Sequence, residues 1–299
     1  QQWAPFPLPD IRHRTGAAIM LMLVLYPYVY LLARQAFLTQ SGTALEVART
    51  LGAGPAARFF RVALPLARPA IVAGVALVLM ETLADYGTVK YFGVPTLSTG
   101  IYRTWFGLDD HLAAAQLASG LLITMFVLLW LERQARRRRS TIADQSPAGE
   151  RRRLTGGFAL TVPVLLALPI LLGFILPALQ LIAWAAGDSA RFLSGEFLSL
   201  IRNSLLIALL TALTTLVVSL LLVTGHRLLP TRTRRLAMRA VAFGYAMPGT
   251  VLAVGVVWVL GALDGGFNDL ATGLGLEAPG LVFSGTLFAV VFACSIRFL

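Results

Sequence analysis

The sequence predicts an all-α fold, a polytopic bundle of transmembrane helices. Hydrophobic residues make up 57% of the 299 residues and charged residues only 13%, and the mean hydropathy is +0.77. These values lie outside the range of ordinary soluble domains. Seven apolar runs approach the roughly 20 residues that a bilayer-crossing helix needs. They are residues 15–37, 66–84, 112–131, 157–186, 201–223, 237–263 and 279–299.

Positive charge alternates along the chain, which predicts how the spans are oriented. The net charge is +11, and arginines concentrate in residues 38–65, 133–153 and 224–239. By the positive-inside rule these three loops are expected to be cytoplasmic. The N-terminal residues are then outside, as is the loop 264–279, which contains no arginine. Nucleic-acid binding by the arginine run 136–139 is a less favoured interpretation.

Two spans have features that predict their local geometry. Residues 157–186 contain Pro163, Pro169 and Pro177, so this long helix is expected to be tilted or kinked. Asn203 and Ser204 are expected to cap the start of the span at 201, because their side chains can accept hydrogen bonds from exposed backbone amides.

The chain offers few groups for catalysis or metal binding. Cys294 is the only cysteine, so a disulfide framework and a thiolate metal site are both excluded. His13, His111 and His226 lie in separate segments without a second ligand at metal spacing. No phosphate-binding loop or nucleophile elbow is present. The sequence therefore predicts a protein that is not an enzyme, binds no cofactor of its own and draws its energy from a partner.

Residues 44–65 form a soluble-looking patch between two apolar runs, and we call this segment the elbow. Glu46 lies near the start of a short helical stretch that ends at Gly52 and Gly54. Gly52 supplies the backbone freedom of a sharp turn, and Pro55 suits the first turn of a second helix. We therefore expect two short helices at an angle.

The elbow is expected to present apolar side chains framed by charge. The apolar residues are Ala48, Leu51, Phe59 and Phe60, and the charged ones are Arg49, Arg58 and Arg61. Such a surface suits a groove on a partner protein. An ordinary amphipathic loop on the membrane surface is the alternative, and composition alone favours it.

Two further groups of residues are candidates for a translocation path. Glu81 lies near the outer end of a span, where an unpaired carboxylate is costly. With Asp85, Tyr86 and Tyr91 it is expected to form an oxygen-rich constriction suited to a hard cation. Pro248 and Gly249 interrupt an apolar helix, as at many transporter pathways. For Glu81 and for the Pro248–Gly249 pair, a purely structural packing role is the alternative.

The spacing of the elbow resembles the cytoplasmic E-A-A loop of ABC importer permeases, with Val47 where alanine is usual and Val62 where isoleucine is common. This resemblance implies that the elbow docks a cytoplasmic ATPase. The residues to which the resemblance assigns this docking role are Glu46, Ala48, Leu51, Gly52, Phe59, Leu64 and Pro65.

Further motifs resemble the fused, two-half permeases of the ferric iron importer family. They are METLADYGTVKYFGV from Met80, STGIYRTWFGLDD from Ser98, AAAQLAS from Ala113, RNSLL from Arg202 and GYAMPGTVLAVGV from Gly244. The resemblance implies a permease that moves ferric iron delivered by an external binding protein, while a dimer of partner ATPases consumes ATP. Permeases for thiamine or another small solute, and a non-transporting membrane scaffold, are the alternatives.

The same resemblance predicts three parts of the chain. Residues 1–132 would be the end of a first permease half that contains the elbow, 133–153 a basic cytoplasmic linker, and 154–299 the start of a second half. The stretch 24–32 can be aligned with 291–299 as the end of an out-to-in helix. An internal fragment is therefore expected, with a second docking loop about 14 residues beyond Leu299.

Overall fold

The computed structural model describes residues 11–40, 42–137, 155–187, 194–228, 238, 241, 244 and 247–299. Ten helices have described bounds in this part of the chain, and the separately described residues 238, 241 and 244 are also helical. We number them α1 Arg14–Leu38, α2 Gly42–Thr50, α3 Pro55–Ala84, α4 Gly87–Tyr91, α5 Leu97–Gly107, α6 His111–Arg137, α7 Ala159–Gly187, α8 Gly195–Leu228, α9 Gly249–Gly273 and α10 Leu287–Phe298. No strand occurs in these residues, and the predicted all-α fold is confirmed.

Six of these helices are long and apolar enough to cross a membrane, namely α1, α3, α6, α7, α8 and α9. The seventh expected span, 279–299, is represented by the shorter helix α10, which begins only at Leu287. Other expected boundaries change as well, and the span expected at 66–84 begins at Pro55. Helix α8 begins at Gly195 rather than 201, and α9 runs from Gly249 to Gly273 rather than from 237 to 263.

The expected outer loop at 264–279 is wrong in its first part, because α9 continues to Gly273. The polar residues Asp264 and Asn268 lie one turn apart and so share one face of the helix. The expected cap at Asn203 and Ser204 is also wrong. Ser194 occupies that role, since its Oγ accepts a hydrogen bond from the Phe197 amide at 3.2 Å.

Helix α7 contains the irregularity that its prolines predict. A π-helical segment, Leu171–Ile175, lies between Pro169 and Pro177. It packs against α1, and a Cβ added at Gly173 would lie 2.7 Å from the Leu23 carbonyl oxygen. Glycine at this position thus permits the two backbones to approach closely, as is common in membrane helix pairs.

The chain divides into two compact units. The first comprises residues 1–82, 87–94 and 126–184, and the second comprises 83–86, 95–125 and 185–299. In the first unit, Gly74 of α3 lies so close to α1 that an added Cβ would be 2.7 Å from the Val29 Cα.

In the second unit, α10 packs against both α8 and α9. Its main apolar cluster is Leu252, Val256, Leu260 and Ala289. Most other large apolar side chains of α7 and α8 are exposed, as expected for helices that face lipid.

The predicted linker 133–153 lies largely outside the described residues, and residues 133–137 continue α6. The predicted cytoplasmic segment 224–239 is also mostly outside them. The three-part division of the chain and the sidedness of its loops stay predictions.

Candidate docking and translocation residues

The first arm of the elbow is α2, and it ends in a Schellman motif. The Gly52 amide donates to the Arg49 carbonyl and the Ala53 amide to the Ala48 carbonyl, both at 3.0 Å. Gly52 has a φ of +78°, which a residue with a Cβ adopts only with strain. The turn predicted at Gly52 is therefore confirmed.

The second arm begins as predicted but is not a short helix. Gly54 caps its start and Pro55 is its first residue. The arm then passes through a π-helical segment, Phe59–Ala63, and continues without a break to Ala84. The second arm of the elbow is thus the beginning of a transmembrane helix, so a displacement at Pro55 would be carried directly into the membrane.

The elbow is fastened to the end of α1. The Gln40 side-chain amide donates to the Ala63 carbonyl at 2.8 Å. The rings of Phe37 and Phe59 stack with centroids 6.1 Å apart, and α2 packs against the π-helical segment. These contacts hold both arms in a fixed arrangement within the first unit.

Apolar side chains project from this fixed turn. Leu51 is 81% exposed, Phe60 65% and Phe59 45%, and Arg49 and Arg61 are exposed beside them. Ala48 was expected to belong to this surface, but this expectation is wrong, because Ala48 is buried at 9% exposure. Glu46 is exposed, and Leu64 and Pro65 are half-buried. We call Leu51, Phe59 and Phe60 the apolar patch.

The residues of the predicted constriction lie in different parts of the structure. Glu81 is half-buried on α3 and belongs to the first unit. Tyr91, on α4 of that unit, is 62% exposed with the Arg12 guanidinium 5.1 Å from its ring centroid.

Asp85 and Tyr86 belong to the second unit. The Asp85 carbonyl accepts a hydrogen bond from the Ser98 hydroxyl at 2.6 Å, and the Tyr86 ring lies 4.6 Å from that of Tyr102. A constriction shared by the four residues stays a prediction.

Pro248 is buried and stands at the start of α9, whose first residue is Gly249. The Arg297 guanidinium of α10 lies directly against Gly249, where a Cβ would overlap it. This guanidinium is the end of a flexible side chain that could move aside, so both the pathway role and the packing role of Gly249 stay predictions.

Sequence reasoning missed Asp264, which is only 1% exposed. Its Oδ1 accepts hydrogen bonds from the amides of Val282 and Phe283 at 3.0 and 2.7 Å. Its Oδ2 accepts from the Ser284 amide at 2.8 Å and the Ser284 hydroxyl at 2.6 Å. We call this arrangement the carboxylate clamp.

One turn further along α9, the Asn268 side chain exchanges two hydrogen bonds of 3.1 Å with the backbone of Gly280. Together these residues hold the segment 280–284 beside α9. This explains why α10 starts as late as Leu287. The i,i+4 spacing of Asp264 and Asn268 was the available signal.

A hydroxyl-rich contact between α8 and α10 was also missed. Thr214 Oγ1 lies 2.8 Å from Ser295 Oγ, and Thr211 is buried at 8% exposure. We call Thr211, Thr214, Thr215 and Ser295 the hydroxyl seam. No cluster of three or more His, Cys, Asp or Glu residues suited to a metal ion occurs in the residues that the structure describes.

These features define a multi-pass helical membrane protein with a rigid apolar turn between its first two spans. Residues 9–140 match the family described as binding-protein-dependent transport system inner membrane component. This stretch contains the elbow and all four residues of the predicted constriction.

Two characterised proteins show sequence similarity. The chain is 32% identical over 130 residues to the molybdenum transport system permease protein ModB of Azotobacter vinelandii, covering 41% of this chain and 58% of that protein. It is 34% identical over 87 residues to the spermidine/putrescine transport system permease protein PotB of Haemophilus influenzae, covering 29% and 30%. No solved structure matches the chain.

The chain thus spans less than two thirds of either relative. Neither relative's name refers to iron, so ferric iron as the cargo is not supported by these similarities and stays a prediction.

Proposed function

We propose that this protein is the membrane-spanning permease subunit of an ATP-driven importer and that the elbow receives its cytoplasmic ATPase. The observation that carries this proposal is the apolar patch, held on a rigid turn inside the segment that matches the transport family. Three exposed apolar side chains on a fixed turn are costly in water unless a partner covers them. A groove on an ATPase is the partner that the family match favours.

Force would pass from the ATPase into the membrane through α3. Because Pro55–Ala84 is one continuous helix, closure of the ATPase dimer at the Pro55 end would shift Glu81 near the other end. The bond from Gln40 to Ala63 and the Phe37–Phe59 contact would make α1 move with it. An external binding protein would deliver the cargo, and the permease itself would hydrolyse no ATP.

Ferric iron is the cargo that the sequence motifs favour. A small oxyanion is the second candidate, supported by the similarity to a molybdenum permease. Uptake should therefore be measured with both solutes, supplied with the matching binding protein.

Gly52→Val is the variant that tests the docking role. Valine at a φ of +78° costs roughly 1–2 kcal/mol and would displace the apolar patch without touching a neighbour, because nothing lies within 4 Å of the Cβ position. We expect at least a tenfold loss of solute uptake in proteoliposomes, with normal membrane insertion and continued basal ATP hydrolysis.

The matched control is Gly54→Ala. Gly54 has an ordinary φ of −65° and equally open surroundings, so its uptake should stay within twofold of the wild type. Unchanged uptake in Gly52→Val, with both solutes, would refute the docking role.

A further inference from the structure

The end of α3 that lies farthest from the elbow is joined to α5 by a buried hydrogen bond. The Ser98 hydroxyl, in the first turn of α5, donates to the Asp85 carbonyl oxygen at 2.6 Å. Asp85 directly follows α3, at a helix end where backbone carbonyls have no partner further along the helix. Both residues belong to the second unit, and Ser98 is only 1% exposed. A bond shielded from water therefore fixes the start of α5 to the end of α3.

The Ser98 hydroxyl is itself held by Thr96, the N-cap residue of α5. Thr96 Oγ1 and Ser98 Oγ are 2.9 Å apart. A carbonyl oxygen can only accept, so the single hydroxyl hydrogen of Ser98 goes to Asp85, and Thr96 must donate to Ser98. Thr96 also forms a capping box with Thr99, which ties this chain of bonds to the backbone of α5. We call the chain from Thr96 through Ser98 to Asp85 the α5 latch.

Apolar contacts surround the α5 latch. Leu83, in the last turn of α3, packs against the buried cluster that α5 and α6 share, which includes Ile101. The rings of Tyr86 and Tyr102 lie 4.6 Å apart. Hydrophobic attraction has no preferred direction, so these surfaces can slide over one another, whereas a hydrogen bond weakens steeply when it is bent. The α5 latch is therefore the contact that fixes the position of α5 along the end of α3.

The α5 latch and the elbow lie at opposite ends of one spanning helix. Helix α3 contains 30 residues, which at 1.5 Å per residue extend over about 45 Å. This length exceeds the roughly 30 Å of hydrocarbon in a bilayer. A displacement at the elbow would therefore arrive at the far side of the membrane through the end of α3, where α5 is attached.

We propose that Ser98 is a positioning residue for transport, whose hydrogen bond makes α5 move with α3 when the ATPase closes at the elbow. This inference rests on the proposed importer function, because it needs an ATPase that displaces the elbow. Ser98 contacts no cargo in this role and acts through the Asp85 carbonyl. The consequence is that α5 changes its position relative to α8 of the same unit during each ATPase cycle.

The movement of α5 is measured by pulsed EPR in the full chain assembled with its ATPase. Spin labels replace Arg103 on α5 and Leu221 on α8, two exposed positions of the second unit, and Cys294 is replaced by serine. The distance between the labels is recorded without nucleotide and with the ATPase trapped by ATP and vanadate. We expect a change between the two states in this parent protein, and a change at least about twofold smaller when Ser98→Ala is added.

Transport gives a second measurement, the amount of solute taken up per ATP hydrolysed in proteoliposomes. It is measured for ferric iron and for molybdate, each with the matching binding protein. We expect Ser98→Ala to lower this ratio at least about fivefold, the lower end of typical coupling between two sites. Ser119→Ala is the matched control, since the exposed Ser119 hydroxyl bonds the Ala115 carbonyl of its own helix. It should keep both the ratio and the movement of α5.

Thr96 supplies a second pair of variants that leaves the buried serine in place. Thr96→Val keeps the shape of the side chain and removes the hydroxyl that donates to Ser98, whereas Thr96→Ser retains that hydroxyl. We expect Thr96→Val to lower the uptake ratio in the same direction as Ser98→Ala, and Thr96→Ser to match the wild type. This pair replaces Ser98→Ala if that variant does not assemble.

Three results would overturn the proposal: no movement of α5 in the parent protein, an unchanged movement and uptake ratio in Ser98→Ala, or an equal loss in Ser119→Ala. The Gly52→Val experiment separates such a failure from a failure of the proposed function. Loss of uptake in Gly52→Val together with an unaffected Ser98→Ala would refute the α5 latch alone. Unchanged uptake in Gly52→Val would refute the docking role on which the latch depends.

Discussion

The elbow and the α9–α10 connection both join successive apolar helices, yet they treat polar and apolar groups in opposite ways. The elbow satisfies its backbone locally, through the Schellman bonds at Gly52, and leaves Leu51 and Phe60 exposed. The α9–α10 connection uses the buried Asp264 carboxylate to satisfy three backbone amides of a distant segment.

This difference separates a turn that leaves apolar side chains uncovered from a turn that is held by internal hydrogen bonds. Because the backbone groups of the elbow bond to one another, its side chains remain available for contact with another molecule, as a docking surface requires. A carboxylate clamp consumes its functional group inside the protein, which explains why Asp264 is an unsuitable ligand for a transported cation.

The largest expected effect of a single substitution is that of Asp264→Ala. It leaves three backbone amides and one hydroxyl without their acceptor at a site that is 1% exposed. We expect a loss of about 3–5 kcal/mol in the free energy of unfolding, measured by thermal or denaturant unfolding in detergent.

Asp269→Ala is the control for that measurement, because Asp269 is exposed on the same helix. Its effect should stay within about 0.5 kcal/mol. Equal stabilities of the two variants would mean that the carboxylate clamp does not hold the α9–α10 connection.

A smaller effect is expected for Gln40→Ala, which removes the hydrogen bond to the Ala63 carbonyl. The expected loss in the free energy of unfolding is about 0.5–1.5 kcal/mol. Backbone hydrogen exchange should become faster in α2 and in the π-helical segment Phe59–Ala63. Faster exchange confined to α9 and α10 instead would contradict the assignment of this bond to the elbow.

The elbow could be predicted from the sequence because its signals are local. Gly52, Gly54 and Pro55 each impose a backbone geometry on their own position. The extent of the second arm could not be predicted in the same way, because helix continuation past Arg58 depends on the packing of Phe59 against α1.

The carboxylate clamp could not be predicted from the sequence, because its hydrogen-bond partners are distant along the chain. The donors to Asp264 are backbone amides 18 to 20 residues away, and backbone amides have no sequence signature. A polar residue at the end of an apolar run looked like the start of a loop, although Asp264 and Asn268 continue one face of α9. The burial of Thr211 likewise depends on which helix packs against α8.

The most direct test of the docking role compares one exposed leucine from each connection. Leu51 and Leu274 are 81% and 72% exposed, so aspartate at either position should leave the fold intact. Each variant would be expressed with its ATPase, and the amount of ATPase that co-purifies with the permease would be measured. We predict that Leu51→Asp loses at least nine tenths of the bound ATPase, whereas Leu274→Asp retains it. Full retention by Leu51→Asp, or equal loss in both variants, would contradict the assignment of the elbow as the docking surface.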